Sequence, residues 1–119
     1  MSEKLSNRIL VHGAGPTGAL LAISLARKGL NIILTDINNR DQILSRSRAY
    51  AITHSSRRNL QRLNLWDKVS KGANSFKRLT VSDSLLKHHV EFSLKDLHAE
   101  SRSHDSIGWI IDHTFLMKT

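Results

Sequence analysis

The clearest chemical signal in this 119-residue chain is one short run and one carboxylate. The run is Gly13-Ala14-Gly15-Pro16-Thr17-Gly18, and Asp36 follows 23 positions after its first glycine. Glycines at positions one, three and six match a turn that grips a dinucleotide. Gly13 permits the tight turn. Gly15 has no side chain, so backbone can approach a pyrophosphate, and Gly18 allows close packing of a helix against a strand. A helix opening there offers unpaired N–H groups and the positive end of its dipole to phosphate charge. Asp36 can accept hydrogen bonds from a ribose diol. Its charge repels a 2′-phosphate, which favours FAD or NAD over NADP. The competing reading is a glycine turn with a structural role only.

These residues do this chemistry only if the right elements hold them. Residues 8–12 (Arg-Ile-Leu-Val-His) read as a short, buried strand. Residues 16–28 read as a helix, with Pro16 in the first turn, where a missing N–H has no helical partner. Gly29 stops it. Residues 31–35 (Asn-Ile-Ile-Leu-Thr) form a second strand that ends at Asp36. Strand, glycine turn, helix and strand make the start of a parallel α/β sheet. Beyond it, residues 38–48 read as a polar connector and 49–53 as a short extended piece. Ser55 or Ser56 caps a helix running to Leu63. That helix turns Leu60 and Leu63 inward and Arg57, Arg58 and Arg62 outward. Asn64 ends it in the left-handed conformation. Residues 76–82 and 90–94 alternate weakly, as half-buried strands do. Residues 95–106 read as a polar loop and 107–111 as another strand. Asp112 or His113 caps a final helix too short to stand alone. From that unfinished helix the chain reads as a truncated piece of something larger.

Composition narrows the classes. There are no cysteines, so a disulfide framework, a thiolate zinc site and a cysteine nucleophile are excluded. The polar Met1–Arg8 segment lacks a secretory core, and no apolar run approaches the ~18 residues of a membrane span. A cytoplasmic chain is the default expectation. The net charge of +8 is concentrated between Arg40 and Arg78, where ten basic residues face only Asp41 and Asp67. Such a cluster attracts a nucleotide, an acidic membrane or nucleic acid. Aromatics are only 5% of the chain, too few to stack bases along a strand, so no nucleic-acid partner is expected. Seven histidines invite a metal hypothesis, but Asp96, His98, Glu100 and His104 lack a recognised ligand spacing. Neither a metal ligand set nor a catalytic residue is assigned.

Three stretches together carry a family resemblance. The turn Gly-Ala-Gly-Pro-Thr-Gly, with Pro16, resembles the flavin fingerprint of class A flavoprotein monooxygenases. Arg48-Ala-Tyr-Ala-Ile-Thr53 and Leu60-Gln-Arg-Leu-Asn-Leu-Trp-Asp67 resemble runs of the ubiquinone-biosynthesis hydroxylases within that class. Leu79-Thr-Val-Ser-Asp83 and Ile107-Gly-Trp-Ile-Ile-Asp112 are similar to two of their strands. The resemblance runs from Arg8 to the end of the chain and covers only an N-terminal portion of a family member.

The resemblance implies a Rossmann-like FAD-binding βαβ unit with additional strands, an incomplete domain of the GR2 type. Gly13, Ala14, Gly15, Pro16, Thr17 and Gly18 would line the FAD pyrophosphate, and Asp36 would hold the adenosine ribose. Arg48 matches the family arginine near the flavin phosphates, with Arg46 as the alternative carrier of that role. The implied reaction is hydroxylation of an aromatic, quinone-precursor-like ring with NAD(P)H and O2. A polyprenylated phenol substrate would bring peripheral membrane association; in a non-enzymatic remnant, exposed sheet edges would bring homo-oligomers. Family members also carry two later Gly-Asp segments and a substrate-binding sheet domain. These 119 residues contain none of them and are expected not to hydroxylate by themselves. His12 departs from the small or apolar residue usual before the first glycine and is expected to be buried and bonded to backbone. Two other readings stay open: a fragment of an NAD-dependent dehydrogenase, and a non-enzymatic remnant that serves as an interaction module.

Overall fold

A computed structural model describes residues 7–119. The expectation that the polar N-terminal segment lacks a secretory core falls on residues 1–6 and lies outside the described residues. The chain divides into two compact units, one ending at Arg46 and the other beginning at Ser47.

The first unit is built on strand β1 (Arg8–His12), helix α1 (Pro16–Ala26) and strand β2 (Asn31–Thr35). β1 and β2 pair in parallel, from Arg8 opposite Asn31 to His12 opposite Thr35. A parallel pair needs a crossover, and α1 supplies it. Pro16 opens α1 at its first position. The helix ends in a Schellman stop. Gly29, at φ +81°, donates its N–H to the Ala26 carbonyl, and Leu30 donates to that of Leu25. β1, expected to be buried, has only Val11 buried, with Ala22 of α1; its other four residues are exposed, Leu10 by 64%, in this two-stranded sheet. The segment after Asp36, expected as a connector, contains the short helix α2 (Arg40–Leu44). Asn39 accepts from the Gln42 N–H while the Gln42 side chain accepts from the Asn39 N–H, a capping box.

The second unit holds an antiparallel sheet with β7 (Gly108–Asp112) between β3 (Ala49–Ile52) and β4 (Ala73–Phe76). Ile111 and Trp109 of β7 pack with Ile52, Leu60 and Val69 as its buried core. Leu60 lies on α3 (His54–Arg62) and Val69 on α4 (Trp66–Ser70). Asn64, at φ +55°, ends α3 with the same pair of bonds that ends α1.

The α3 frame differs from expectation. Thr53 is the cap, its hydroxyl accepting from the Ser56 N–H, so the helix begins earlier and its inward face is His54, Arg57 and Leu60. Arg57, expected to face water, is only 3% exposed. Its Nε donates to His54 Nδ1 and its Nη1 to Gln61 Oε1. Those bonds offset part of the cost of burying a guanidinium, and burial still lowers the Arg57 pKa. His54 Nε2 in turn donates to the Ser106 carbonyl, which fixes its tautomer. Desolvation, helped by Arg57 and His54, also holds the His104 imidazole below its ordinary value.

The single strand expected over residues 76–82 is two. β4 stops at Phe76, and β5 (Arg78–Ser82) pairs instead with β6 (His89–Ser93). Leu79 faces Phe92 and Val81 faces Val90, and all four are exposed, not half-buried. The loop expected over 95–106 contains a 3-10 turn (Leu94–Asp96) and α5 (Ala99–Arg102). Helix α6 (His113–Lys118) starts at an Asp112 cap, as expected, with Asp112 Oδ2 accepting from the Phe115 N–H.

Tyr50 of β3 ties α6 to the sheet. Its hydroxyl lies 2.8 Å from Nδ1 of His113, a residue with no exposed surface. Tyr50→Phe removes that partner from a buried nitrogen and is expected to cost about 1–2 kcal/mol. A urea unfolding curve monitored by tryptophan fluorescence checks it; an unchanged midpoint would mean the bond contributes nothing.

Candidate functional site

The six-residue turn sits between the end of β1 and the start of α1. Gly13 holds φ +107°, a conformation that residues with a side chain rarely adopt. Its N–H donates to the Thr35 carbonyl at 2.7 Å, which ties the turn to the end of β2. A Cβ on Gly18 would fall on the Gly13 carbonyl oxygen, so only glycine lets α1 lie this close to the strand. Gly15 is the N-cap residue, and its carbonyl accepts from the Ala19 N–H at 2.9 Å. A Cβ on Gly15 would meet nothing nearer than an Arg46 guanidinium nitrogen at 3.8 Å.

Asp36 completes the turn from the other strand. Its Oδ2 accepts from the Ala14 N–H at 2.8 Å, and its Oδ1 accepts from the Asn38 backbone at 2.8 Å and side chain at 3.2 Å. The backbone bonds from Asn38 and Ala14 lower the Asp36 pKa, and the positive charge of Arg46 adds to the effect. The carboxylate therefore stays ionised at neutral pH. Each oxygen retains lone pairs beyond these bonds, enough for a ribose diol.

The donors of the turn are divided. Gly13 and Ala14 spend theirs on Thr35 and Asp36. Among the described residues, nothing accepts from the N–H groups of Gly15, Thr17 or Gly18. Three open donors at the positive end of an 11-residue helix, over a glycine face without a Cβ, suit the diphosphate of a dinucleotide.

The comparisons with known proteins agree. A family model for the FAD binding domain matches residues 7–107. The chain belongs to the FAD binding domain family. FAD is accordingly the cofactor of this FAD binding domain. It is 28% identical over 110 residues to an uncharacterized protein of Synechocystis, covering 92% of this chain and 25% of that protein. It is 40% identical over 68 residues to the ubiquinone hydroxylase UbiM of Neisseria meningitidis, covering 55% of this chain and 15% of that one. Klebsiella pneumoniae HpxO, solved with FAD and uric acid, superposes with a TM-score of 0.66 at 18% identity. The match covers 98% of this chain and 29% of HpxO. This FAD binding domain thus shares the fold of the matched part of HpxO, and the chain spans under a third of the length of these relatives.

The remaining expected residues fall as follows. Pro16 is half-buried and Thr17 exposed at the helix start. Arg48 is exposed at the entry to β3 in the second unit, where its carbonyl accepts from the His113 N–H at 2.8 Å. Arg46 is the arginine found beside Gly15 and Asp36. His12, expected to be buried and bonded to backbone, is exposed, with Nδ1 2.9 Å from the Thr35 hydroxyl. The alternation of the strand turns it away from Val11, the buried member of the pair. Among the described residues no group of three or more His, Asp or Glu side chains is arranged to hold a metal ion. No described helix is long and apolar enough to cross a membrane.

Proposed function

We propose that this chain is the N-terminal, Rossmann-like part of the FAD domain of a flavin-dependent monooxygenase. The parent reaction would hydroxylate an aromatic, quinone-precursor-like ring with NAD(P)H and O2. One observation carries the reading: three open amide donors and the Asp36 carboxylate converge on a single glycine turn. FAD would supply the redox chemistry when bound. The chain's own residues do the holding. The amides of Gly15, Thr17 and Gly18 receive the diphosphate and Asp36 receives the ribose hydroxyls, and the family resemblance assigns Arg48 to the phosphates. Ala14 and Pro16 shape the turn, the first by anchoring Asp36 and the second by starting the helix without an N–H.

The likeness to a ubiquinone hydroxylase supports a ring substrate of the quinone-precursor class. A lipid-borne ring would place the parent at a membrane surface, and the cations between Arg40 and Arg78 suit that location. The test is thermal unfolding of the purified chain with FAD, NAD or neither. FAD should raise the midpoint and NAD should not. An equal rise with NAD would favour a dehydrogenase, and no rise with either would favour an interaction module. These residues alone should catalyse no NAD(P)H-dependent oxygen uptake, and uptake stimulated by a phenol would contradict that division of labour.

A further inference from the structure

The second unit buries a positive charge with no negative one against it. Arg57 of α3 is 3% exposed, and among the described residues no carboxylate pairs with its guanidinium. Neutral groups answer it: His54 Nδ1 accepts from its Nε at 3.3 Å, and Gln61 Oε1 accepts from its Nη1. His54 is itself buried, and its Nε2 donates to the Ser106 carbonyl at 2.7 Å. This one imidazole therefore joins α3 to the turn before β7, and it makes both bonds only in the neutral Nε2–H form. A proton on Nδ1 turns the acceptor into a donor and sets a second cation 3.3 Å from the guanidinium. Like charges held away from water repel strongly.

The neighbours add to the effect. His104, in the same turn as Ser106, lies ring to ring with His54 at 5.6 Å, and both rings meet Trp109 of β7 edge-on. Trp109 in turn meets Trp66 of α4. Among the described residues, the charged groups acting on this cluster are Arg57 and Arg58 of α3 and Glu100 of α5. Glu100 is exposed and pairs with neither Arg57 nor His104. The two tryptophans carry no charge to offset a proton. Desolvation, Arg57 and His54 hold His104 below its ordinary value, so its contribution to stability is present above about pH 6.5 and is lost as pH falls through the folded value. We propose that His54, Arg57 and His104 form an acid-released latch, which holds α3 against the turn before β7 while both imidazoles are neutral and frees it when they take protons. The device lies wholly in the second unit and is independent of the cofactor reading.

The test is amide hydrogen exchange of the whole chain at about pH 7.5 and about pH 5.5, corrected for the intrinsic rate at each pH. The amides of α3 should exchange about tenfold faster at the lower pH, and those of α1, a helix without histidine, should stay within about twofold. His54→Gln combined with His104→Gln keeps an acceptor and a donor at each site and takes up no proton. The rise should vanish in that double variant and shrink in Arg57→Met, which removes the buried charge. A rise that persists undiminished in either variant, or no rise in the unaltered chain, overturns the latch. Where a variant does not fold, the ring 15N signals of the unaltered chain decide. His54 should leave the Nε2–H form over the pH range in which α3 loosens, and a His54 that stays neutral across that range overturns the proposal.

Discussion

Gly18→Ala should abolish FAD binding and destabilise the first unit, whereas Gly15→Ala should weaken FAD binding and leave the fold intact. The difference is steric. A methyl on Gly18 would overlap the Gly13 carbonyl, which is backbone in the same peptide unit as the Ala14 N–H that Asp36 holds, so it does not swing aside freely. α1 must then move off β1, at a cost of about 1–3 kcal/mol for overpacking, and the open amides move with it. A methyl on Gly15 meets only the end of the flexible Arg46 side chain at ordinary contact distance, with φ at −73°. Its stability should change by under about 0.5 kcal/mol. It nonetheless fills the face that the diphosphate needs, and a loss of about 100-fold in FAD affinity, about 2.7 kcal/mol, is expected. Paired thermal unfolding and FAD titration check both. Gly18→Ala with native stability and native affinity would show that the close approach of helix and strand is dispensable.

Asp36→Asn should weaken FAD by about 10- to 100-fold, because a charged acceptor for the ribose diol becomes a neutral one. It also turns one acceptor into a donor facing the Ala14 or Asn38 N–H. The pH dependence has a definite sign. The folded pKa of Asp36 lies below the ordinary 3.8, so its contribution to stability is fully present above that value and is lost as pH falls through the folded pKa. Unfolding free energies of the parent and Asp36→Asn chains should therefore run parallel from pH 5 to 8 and converge below about pH 4. Curves that already converge near neutrality would mean that the carboxylate is not held by those amides.

The first unit was legible because its signals are local. A strand with a short apolar run, proline at a helix start, glycine at a helix stop and an acid at the next strand end each act within a few residues. Arg8–His12, Pro16 and Asn31–Thr35 all appear where that grammar places them. The same grammar contained α2, whose Asn39 and Gln42 stand at capping-box spacing. Thr53, Ser55 and Ser56 are each able to cap a helix, and tertiary packing chose the first, which carried Arg57 inward. The division of residues 73–82 between two sheets depends on which distant strand each half meets, β7 or β6. No local pattern encodes that. Arg46 shows the limit for the site. Chain position makes it one arginine among ten basic residues, and no local pattern marks it as the one whose guanidinium lies beside Gly15.

The account rests on amide groups that wait for a diphosphate. Its most direct test is the 1H–15N spectrum of the labelled chain as FAD is added. The amide signals of Gly15, Thr17 and Gly18 should shift furthest and gain protection from solvent exchange, and those of Gly13 and Ala14, already bonded to Thr35 and Asp36, should move less. FAD-induced shifts that leave those three amides still and gather on the second unit would contradict it.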